Sequence, residues 1–235
     1  MTTAQKPKKV AIFDIDGTIF RSSLLIELSE VLVETGLFPP DARRHYAREY
    51  KSWLERKDSY DKYIMAVVES FMKYIKGVPY KDFLTVGQKM IVEQKDYVYL
   101  YTRDLIKDLK KKDYFLLAIS QSPKGILDPF CRALGFDKVY GRIYELGPGD
   151  CFTGKITDEH LIANKANIVR RAVEKENLTL KGSFGIGDTD GDISMLELVE
   201  KPICFNPNQK LYRYAKLQGW KVVVERKDVI YPITN

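Results

Sequence analysis

Two pairs of aspartates, far apart in the chain, are the residues best suited to carry chemistry. Asp14 and Asp16 lie two positions apart in segment 14–18, which reads Asp-Ile-Asp-Gly-Thr. Asp188 and Asp192 belong to a second acidic turn. Carboxylates held close together repel one another and need a cation or a shared proton. Clustered carboxylate oxygens suit Mg²⁺ better than zinc, so the four aspartates predict a magnesium site.

Either motif taken alone has a second interpretation. Segment 14–18 is also typical of an Asx turn, because Asp, Gly and Thr are turn-forming residues. Segment 188–192 could be a helix cap. It also resembles the start of a calcium loop, but the glutamate that such a loop requires is absent at the expected spacing. These alternatives stay open for each motif by itself, and only the combination of motifs is specific.

Whether these motifs lie close together depends on the secondary-structure elements that precede them. Apolar runs at 10–13, 114–119 and 183–187 precede Asp14, Ser120 and Asp188. Apolar runs without a helical period are typical of buried strands in parallel sheets. Because the strands alternate with helices, we predict an α/β fold with a Rossmann-like parallel sheet and helices on both faces. The site is then expected at the carboxyl ends of the strands.

The rest of the chain completes this architecture. Segment 21–96 has helical periodicity and no convincing strand, which predicts a helical-bundle cap inserted after the first strand. Residues 1–20 and 97–235 would form the core. Within it, two apolar runs flank a Gly-Pro-Gly-Asp turn and predict a small β-hairpin flap over 139–157. The remaining predicted elements are strands at 202–205 and 221–224 and helices at 102–112, 125–134, 161–176 and 209–218.

Four motifs in a fixed order carry a resemblance to a known family. They are segment 14–18, Ser120, Lys165 and the Gly187–Asp192 turn. This order resembles that of the haloacid dehalogenase-like (HAD) hydrolases, over residues 10–224. The helical insertion and the small hairpin are similar to those of the phosphoserine-phosphatase-like branch, the subfamily IB type.

The resemblance implies a Mg²⁺-dependent phosphomonoester hydrolase that acts on a small phosphorylated metabolite. Asp14 would be the nucleophile and form an aspartyl-phosphate. Asp16 would protonate the leaving oxygen and then activate water. Mg²⁺ would be held by Asp14, the backbone of Asp16 and Asp188, with Asp192 as a further candidate. The residues implied to bind phosphate are Ser120, Gln121, Lys165, Gly17 and Thr18.

The serine-gripping residues of phosphoserine phosphatase are missing. That enzyme has a glutamate shortly after the first motif, where this chain has Ser23, and an arginine in the cap, whereas segment 59–76 here contains none. Arg21 and Ser23 are the candidates for substrate contact near the cap. The cap is rich in aromatic residues, which their helical spacing assigns to the core of the bundle. A wall that grips an apolar or ring-bearing substrate is the alternative.

Composition limits the class of protein and its partners. The 235 residues carry 38 basic and 32 acidic side chains, a net charge of +6 that is spread along the chain. This distribution hints at an anionic partner but does not indicate nucleic-acid binding. Three scattered cysteines predict a reducing compartment, hence a cytoplasmic protein. No apolar run or leader predicts a membrane segment or secretion.

Two further functions remain alternatives at the level of sequence. A phosphotransferase or mutase of the same superfamily would differ only in the group that accepts the phosphoryl, which cap closure and water exclusion decide. A catalytically silent, basic binding module would have no need of Asp14 or Asp16. We expect a monomer or a homodimer.

Overall fold

The centre of the molecule is one eight-stranded sheet. The computed structural model describes residues 6–157 and 164–233. The strands are β1 (Lys8–Phe13), β2 (Phe115–Pro123), β3 (Lys138–Leu146), β4 (Phe152–Thr157), β5 (Leu178–Gly187), β6 (Lys201–Phe205), β7 (Lys221–Arg226) and β8 (Val229–Ile233). Their order across the sheet is β4-β3-β2-β1-β5-β6-β7-β8.

Six of these strands are parallel and the two at the edges are antiparallel. β1 lies between β2 and β5, with Phe13 opposite Ala118 on one side and Ile186 on the other. β3, β6 and β7 extend the parallel part, whereas β4 and β8 pair antiparallel with β3 and β7. The predicted α/β class and the hairpin are therefore confirmed.

Helices cover both faces of the sheet. They are α1 (Leu24–Glu34), α2 (Asp41–Leu54), α3 (Tyr60–Tyr74), α4 (Tyr80–Gln94), α5 (Leu100–Lys111), α6 (Lys124–Leu134), α7 (Lys165–Lys175), α8 (Ile193–Leu196) and α9 (Gln209–Gln218). The first four follow one another without an intervening strand, as expected for segment 21–96. The division of the chain into a core and an inserted cap stays a prediction.

Alternating side chains of β1 supply both halves of the core. Val10 and Ile12 are buried among residues of α7, α8 and α9. Ala11 and Phe13 are buried on the opposite face, in a cluster that continues into α1, α3, α4 and α6. Residues 10–13 of β1 are buried on both faces, which explains why this part of the strand is apolar without a polar alternation. The strand is thereby fixed in position directly before Asp14.

The structure departs from the predicted elements in four places. β8 was not predicted; it pairs antiparallel with β7, and its Pro232 is compatible with an edge strand. β5 begins at Leu178, before the predicted start at 183. β2 runs on to Pro123, beyond the predicted end at 119. The helix expected from 161 begins at Lys165, because Asn164 is extended and caps it by accepting from Ala166 N; residues 161–163 lie outside the described part of the chain.

Candidate active site

The end of β1 places Asp14 at the base of the site. Asp14 is buried, and its N–H donates to Ile186 O of β5 at 2.9 Å. Gly17 follows with φ +77°, a conformation that glycine adopts without strain. A Cβ on Gly17 would lie 2.2 Å from Asp188 Oδ2. A glycine is thus required here both by the turn and by the close approach of a carboxylate from another strand.

The end of β5 supplies Asp188. The Thr18 hydroxyl donates to Asp188 Oδ1 at 3.0 Å, and the Asp188 carbonyl accepts from Asn208 N at 2.8 Å. The Gly17 N–H donates to Phe20 O and Ser22 O, each at 3.0 Å. In the structure, Gly17 and Thr18, predicted to contact phosphate, therefore contact Asp188 and their own turn.

Lys165, at the first position of α7, is buried between two carboxylates. Its Nζ donates to Asp14 Oδ1 and to Asp192 Oδ1, each at 2.5 Å. Asp192 Oδ2 accepts from the backbone N–H groups of Asp188 and Thr189, at 3.1 and 3.0 Å. Both oxygens of Asp192 are thus engaged. This residue fixes the lysine and the 188–192 turn with respect to each other.

The electrostatics of this cluster follow from its burial. Burial, reinforced by Asp192 and Asp16 but opposed by Lys165, raises the pKa of Asp14 to about 7. Burial and the neighbouring charges of Asp14 and Asp192 raise the pKa of Asp188 well above its usual range. Burial disfavours the charged form of Lys165, but the two carboxylates outweigh it and raise its pKa. The cluster holds more negative charge than its lysine neutralises.

Asp16 is held by a different set of partners. Its Oδ1 accepts from Leu24 N, the first residue of α1, at 2.6 Å. Its Oδ2 accepts from the hydroxyls of Ser120 at 2.5 Å and Ser122 at 2.9 Å. Ser122 was missed in the sequence. Because β2 continues past 119, residues 120 and 122 point to the same face, a spacing that could have revealed it.

The donor set fits a hard divalent cation. Asp14, Asp188 and Asp192 each offer an oxygen, and these oxygens lie within 4.8 Å of one another. Oxygen-only donors and an uncompensated negative charge are features of Mg²⁺ sites. Among the residues that the structure describes, no histidine or cysteine joins this cluster. Three of the four predicted aspartates therefore share one cluster, whereas the carboxylate of Asp16 is bonded to Leu24 N and to the two serines of β2.

A cavity of about 1740 Å³ opens above these residues. Asp14, Asp16 and Asp188 line one part of it, and helices α1, α2 and α3 line much of the remainder. Gln121, Arg21 and Ser23, all predicted as site residues, also line it. Ser23 is buried, and the Arg21 guanidinium lies over the rings of Tyr97 and Tyr99.

The hairpin adds cations that the sequence did not single out. Arg142 and Lys155 line the cavity from β3 and β4. Arg142 donates to Gln121 Oε1, which joins the hairpin to the end of β2. Nothing in the sequence pattern of a hairpin indicates which of its side chains turns towards a distant strand end.

Comparisons with known proteins agree with this geometry. The haloacid dehalogenase-like hydrolase family matches residues 11–197. A phosphoserine phosphatase of Mycobacterium tuberculosis is 26% identical over 90% of this chain and 69% of its own. A histidinol-phosphatase of Neisseria meningitidis is 23% identical over 92% of this chain and 98% of its own.

Solved structures share the fold. A phosphoserine phosphatase solved as a phospho-aspartyl intermediate analogue superposes with a TM-score of 0.62 at 20% identity, covering 95% of this chain and 96% of that one. A protein of unknown function from Bordetella pertussis Tohama I superposes with a TM-score of 0.73 at 18% identity, covering 92% and 98%.

The chain belongs to the haloacid dehalogenase-like hydrolases, in the branch similar to phosphoserine phosphatase, and is an enzyme of the phosphatase type. In the part of the chain that the structure describes, no helix is long and apolar enough to cross a bilayer.

Proposed function

We propose that this protein is a Mg²⁺-dependent phosphomonoesterase that works through an aspartyl-phosphate on Asp14. The observation that carries the proposal is the buried Asp14, held by Lys165 at 2.5 Å beside Asp188 and opening onto a large cavity. A carboxylate in that position can act as a nucleophile if its repulsion of a phosphate dianion is cancelled. Bound Mg²⁺ would supply this charge neutralisation.

The first half-reaction joins Asp14 to phosphorus. An Asp14 oxygen forms a bond to the phosphorus, and the bond between the phosphorus and the ester oxygen breaks. Asp16 gives a proton to the departing oxygen. The contacts of Asp16 with Leu24 N, Ser120 and Ser122 hold its carboxyl group on the side of the site that faces the cavity.

The second half-reaction releases phosphate. Asp16 now takes a proton from water, the water oxygen bonds to phosphorus, and the bond from Asp14 to phosphorus breaks. Lys165 holds the Asp14 carboxylate in place and offsets negative charge as it develops. Asp192 positions Lys165 through the 2.5 Å contact. We assign the metal to Asp14 and Asp188, with Asp192 positioning both the lysine and the turn.

Phosphate would be held by groups at the end of β2 together with Lys165. Ser120 and Ser122 both lie there, and Gln121 lines the cavity between them. Gly17 and Thr18 would support this arrangement through Asp188. In this proposal they set the metal ligand rather than contact phosphate.

The substrate would be a small phosphorylated metabolite in a reducing compartment such as the cytoplasm. Relatives named for phosphoserine and histidinol phosphate support the first part. The second is supported by the free thiols of Cys131, Cys151 and Cys204.

The test is hydrolysis by the purified protein of p-nitrophenyl phosphate and of a panel of phosphorylated metabolites, with Mg²⁺ or with chelator. Release of inorganic phosphate that requires Mg²⁺, together with a beryllium-fluoride adduct on Asp14, would support the proposal. Full activity in excess chelator would contradict it. Transfer of the phosphoryl group to another metabolite, without free phosphate, would favour the phosphotransferase alternative.

A further inference from the structure

The cavity is larger than a phosphate group requires. Its volume is about 1740 Å³, whereas ligand pockets of about 300–1,000 Å³ accommodate whole drug-sized molecules. The catalytic aspartates occupy only the part at the strand ends. The remaining space lies beneath α1, α2 and α3, so it is available to the rest of a phosphorylated molecule.

Five aromatic side chains line this second part of the cavity, and we call them the aromatic wall: Tyr46, Tyr50, Trp53, Tyr60 and Tyr63. The rings touch one another, with centroid distances of 5.1 Å for Tyr50–Tyr63 and 5.3 Å for Trp53–Tyr60. Tyr46 and Tyr63 are 3% and 5% exposed and belong to the core, whereas Tyr50 is 42% and Tyr60 37% exposed, so the wall presents these two rings to the cavity. Ring faces carry negative electrostatic potential and attract cations.

The wall reaches from the strand ends to the carboxylates of α1. The pKa of Tyr60 is raised by burial and by the nearby charges of Asp16 and Asp188. The pKa of Tyr63 is raised by burial and then by Glu30, Tyr50 and Glu27. A molecule with its phosphate on Asp14 would therefore extend along these rings towards α1.

Two glutamates of α1 line the same space, and their charges are balanced differently. Glu30 forms an ion pair with Arg43 at 2.5 Å and accepts from the Tyr46 hydroxyl at 2.5 Å. Glu27 accepts only a neutral amide donor, Gln94 Nε2 at 3.1 Å, and among the described residues no ion pair reaches it. Glu27 is half-buried. Its negative charge faces the cavity and is available to a bound cation.

The three arginines that line the cavity are engaged elsewhere, and its lysine, Lys155, is carried by β4; in the described part of the chain none of them forms an ion pair with Glu27. Arg142 is bonded to Gln121 at the strand ends, and Arg21 lies over Tyr97 and Tyr99. Arg43 is paired with Glu30 and Glu34. Negative charge and aromatic faces thus coincide at Glu27, whereas these cations lie elsewhere or are already paired.

We propose that Glu27 and the aromatic wall form a subsite for a positively charged nitrogen, a quaternary ammonium or a protonated amine, at the far end of the substrate. This rests on the proposed function, because it places the phosphate of the same molecule on Asp14. The preferred substrates are then phosphomonoesters of cationic amino alcohols. The wall surrounds the cation and Glu27 balances its charge.

The test compares pairs of substrates that differ only in charge. ω-Trimethylammonio-alkyl phosphates, beginning with phosphocholine, are paired with tert-butyl analogues of the same shape, over roughly two to six methylene groups. At the best length we expect kcat/KM to favour the ammonium by about 10-fold. A ratio below about 3-fold at every length would overturn the subsite.

Variants separate this subsite from general damage to the cap. Glu27→Gln keeps an acceptor for Gln94 and removes the charge, so the preference should fall to below about 3-fold. Tyr50→Leu, at an exposed ring, should lower it as well. Glu93→Gln changes an exposed carboxylate of α4 whose contact is Lys89 at 4.0 Å, and it should leave the preference unchanged. Equal preference in wild type and Glu27→Gln would remove Glu27 from the subsite.

Calorimetry of binding to the Asp14→Asn protein in Mg²⁺ measures the same preference for the ammonium member in the absence of turnover. If the ammonium member of a pair binds more tightly but the wild-type protein hydrolyses none of the substrates, the subsite stands and the proposed function is refuted. If p-nitrophenyl phosphate is hydrolysed in an Asp14-dependent way but no pair shows a preference, the proposed function stands and the subsite is refuted. The two proposals therefore fail separately.

Discussion

The two parts of the cavity are built on different principles. At the strand ends, Lys165 and Asp192 are 7% and 0% exposed and bond to each other and to Asp14. In the aromatic wall, Tyr50 and Tyr60 remain 42% and 37% exposed. In the first part the charged side chains bond mainly to one another, and a bound Mg²⁺ would offset their remaining negative charge. In the second part, two rings of the aromatic wall and the carboxylate of Glu27 face the cavity. We expect such a surface to select among ligands.

This difference predicts how the parts respond to mutation. Changes at the strand ends should alter the rate for every phosphomonoester, because all of them share the phosphate. Changes in the aromatic wall should alter the choice among phosphomonoesters and leave the common chemistry in place. The predictions below test that separation, beginning with the largest effect.

Asp14→Asn should abolish turnover of every substrate, on the order of 10⁴-fold or more, because an amide does not replace the nucleophilic carboxylate. The fold should persist, since the amide is nearly the same shape and removes one buried negative charge. Steady-state kinetics and the unfolding temperature in chelator measure the two effects. Asp113→Asn, at an exposed carboxylate paired with Lys8, is the control and should keep full activity. Substantial turnover by Asp14→Asn would make Asp14 a ligand rather than the nucleophile.

Lys165→Met should lower kcat by about 10²–10³-fold, as when one charge-stabilising donor is lost. It should also destabilise the metal-free protein by about 3–5 kcal/mol, because two buried carboxylates lose their cation. Kinetics and chemical denaturation in chelator test both effects. Lys62→Met removes an exposed contact to Asp58 and should change neither quantity measurably. A stable Lys165→Met protein with wild-type kcat would contradict the proposed role of this lysine.

Gly17→Ala should raise the Mg²⁺ concentration needed for half-maximal activity by about 10–100-fold, the usual effect of disturbing the residues that support a metal ligand. The cause is the new Cβ, which would lie 2.2 Å from Asp188 Oδ2. Gly36→Ala is a matched control: its φ of +76° imposes the same backbone strain, but nothing lies within 4 Å of its Cβ. Magnesium titrations of the two variants should therefore differ. Equal titrations would mean that backbone strain alone accounts for the effect.

Much of the strand-end site could be predicted from the sequence because parallel strands carry it. Three apolar runs are followed by Asp14, Ser120 and Asp188. They were enough to predict that these residues lie close together, because the carboxyl ends of parallel strands meet at one edge of the sheet. Ser122 was missed because β2 was ended too early. β8 was missed because its short segment, with Pro232 in it, lacks the apolar pattern of the inner strands.

The aromatic wall could not be predicted in the same way. Helical spacing places rings of α2 and α3 on one face, but it does not say whether that face meets another helix or a cavity. The structure divides the rings. Phe71, Tyr46 and Tyr63 are buried in the core as expected, although the two tyrosines also border the cavity. Tyr50 and Trp53 line the cavity without being fully buried. Glu27 has no distinguishing pattern in the sequence, because the subsite proposed for it depends on its having no ion pair with any residue that the structure describes.

The smallest predicted effect concerns pH and the stability of the metal-free protein. The pKa of Asp14 is raised to about 7 and that of Asp188 is also raised, so the folded state binds more protons than the unfolded chain between the ordinary carboxyl pKa and about 7. Without metal, stability should therefore fall as pH rises through that window.

Magnesium should reverse this trend, because it binds the deprotonated carboxylates and stabilises only the folded state. We expect the rise in unfolding temperature on adding Mg²⁺ to be larger at about pH 8 than at about pH 5, by a few degrees. Calorimetry at both pH values measures it, and Asp14→Asn should reduce the difference. Calcium has the same charge but a larger and more flexible coordination shell, so comparing it with magnesium separates the effect of charge from that of geometry. An equal Mg²⁺ shift at both pH values would show that the carboxylates are already ionised in the metal-free protein, and that pairing with Lys165 outweighs their burial.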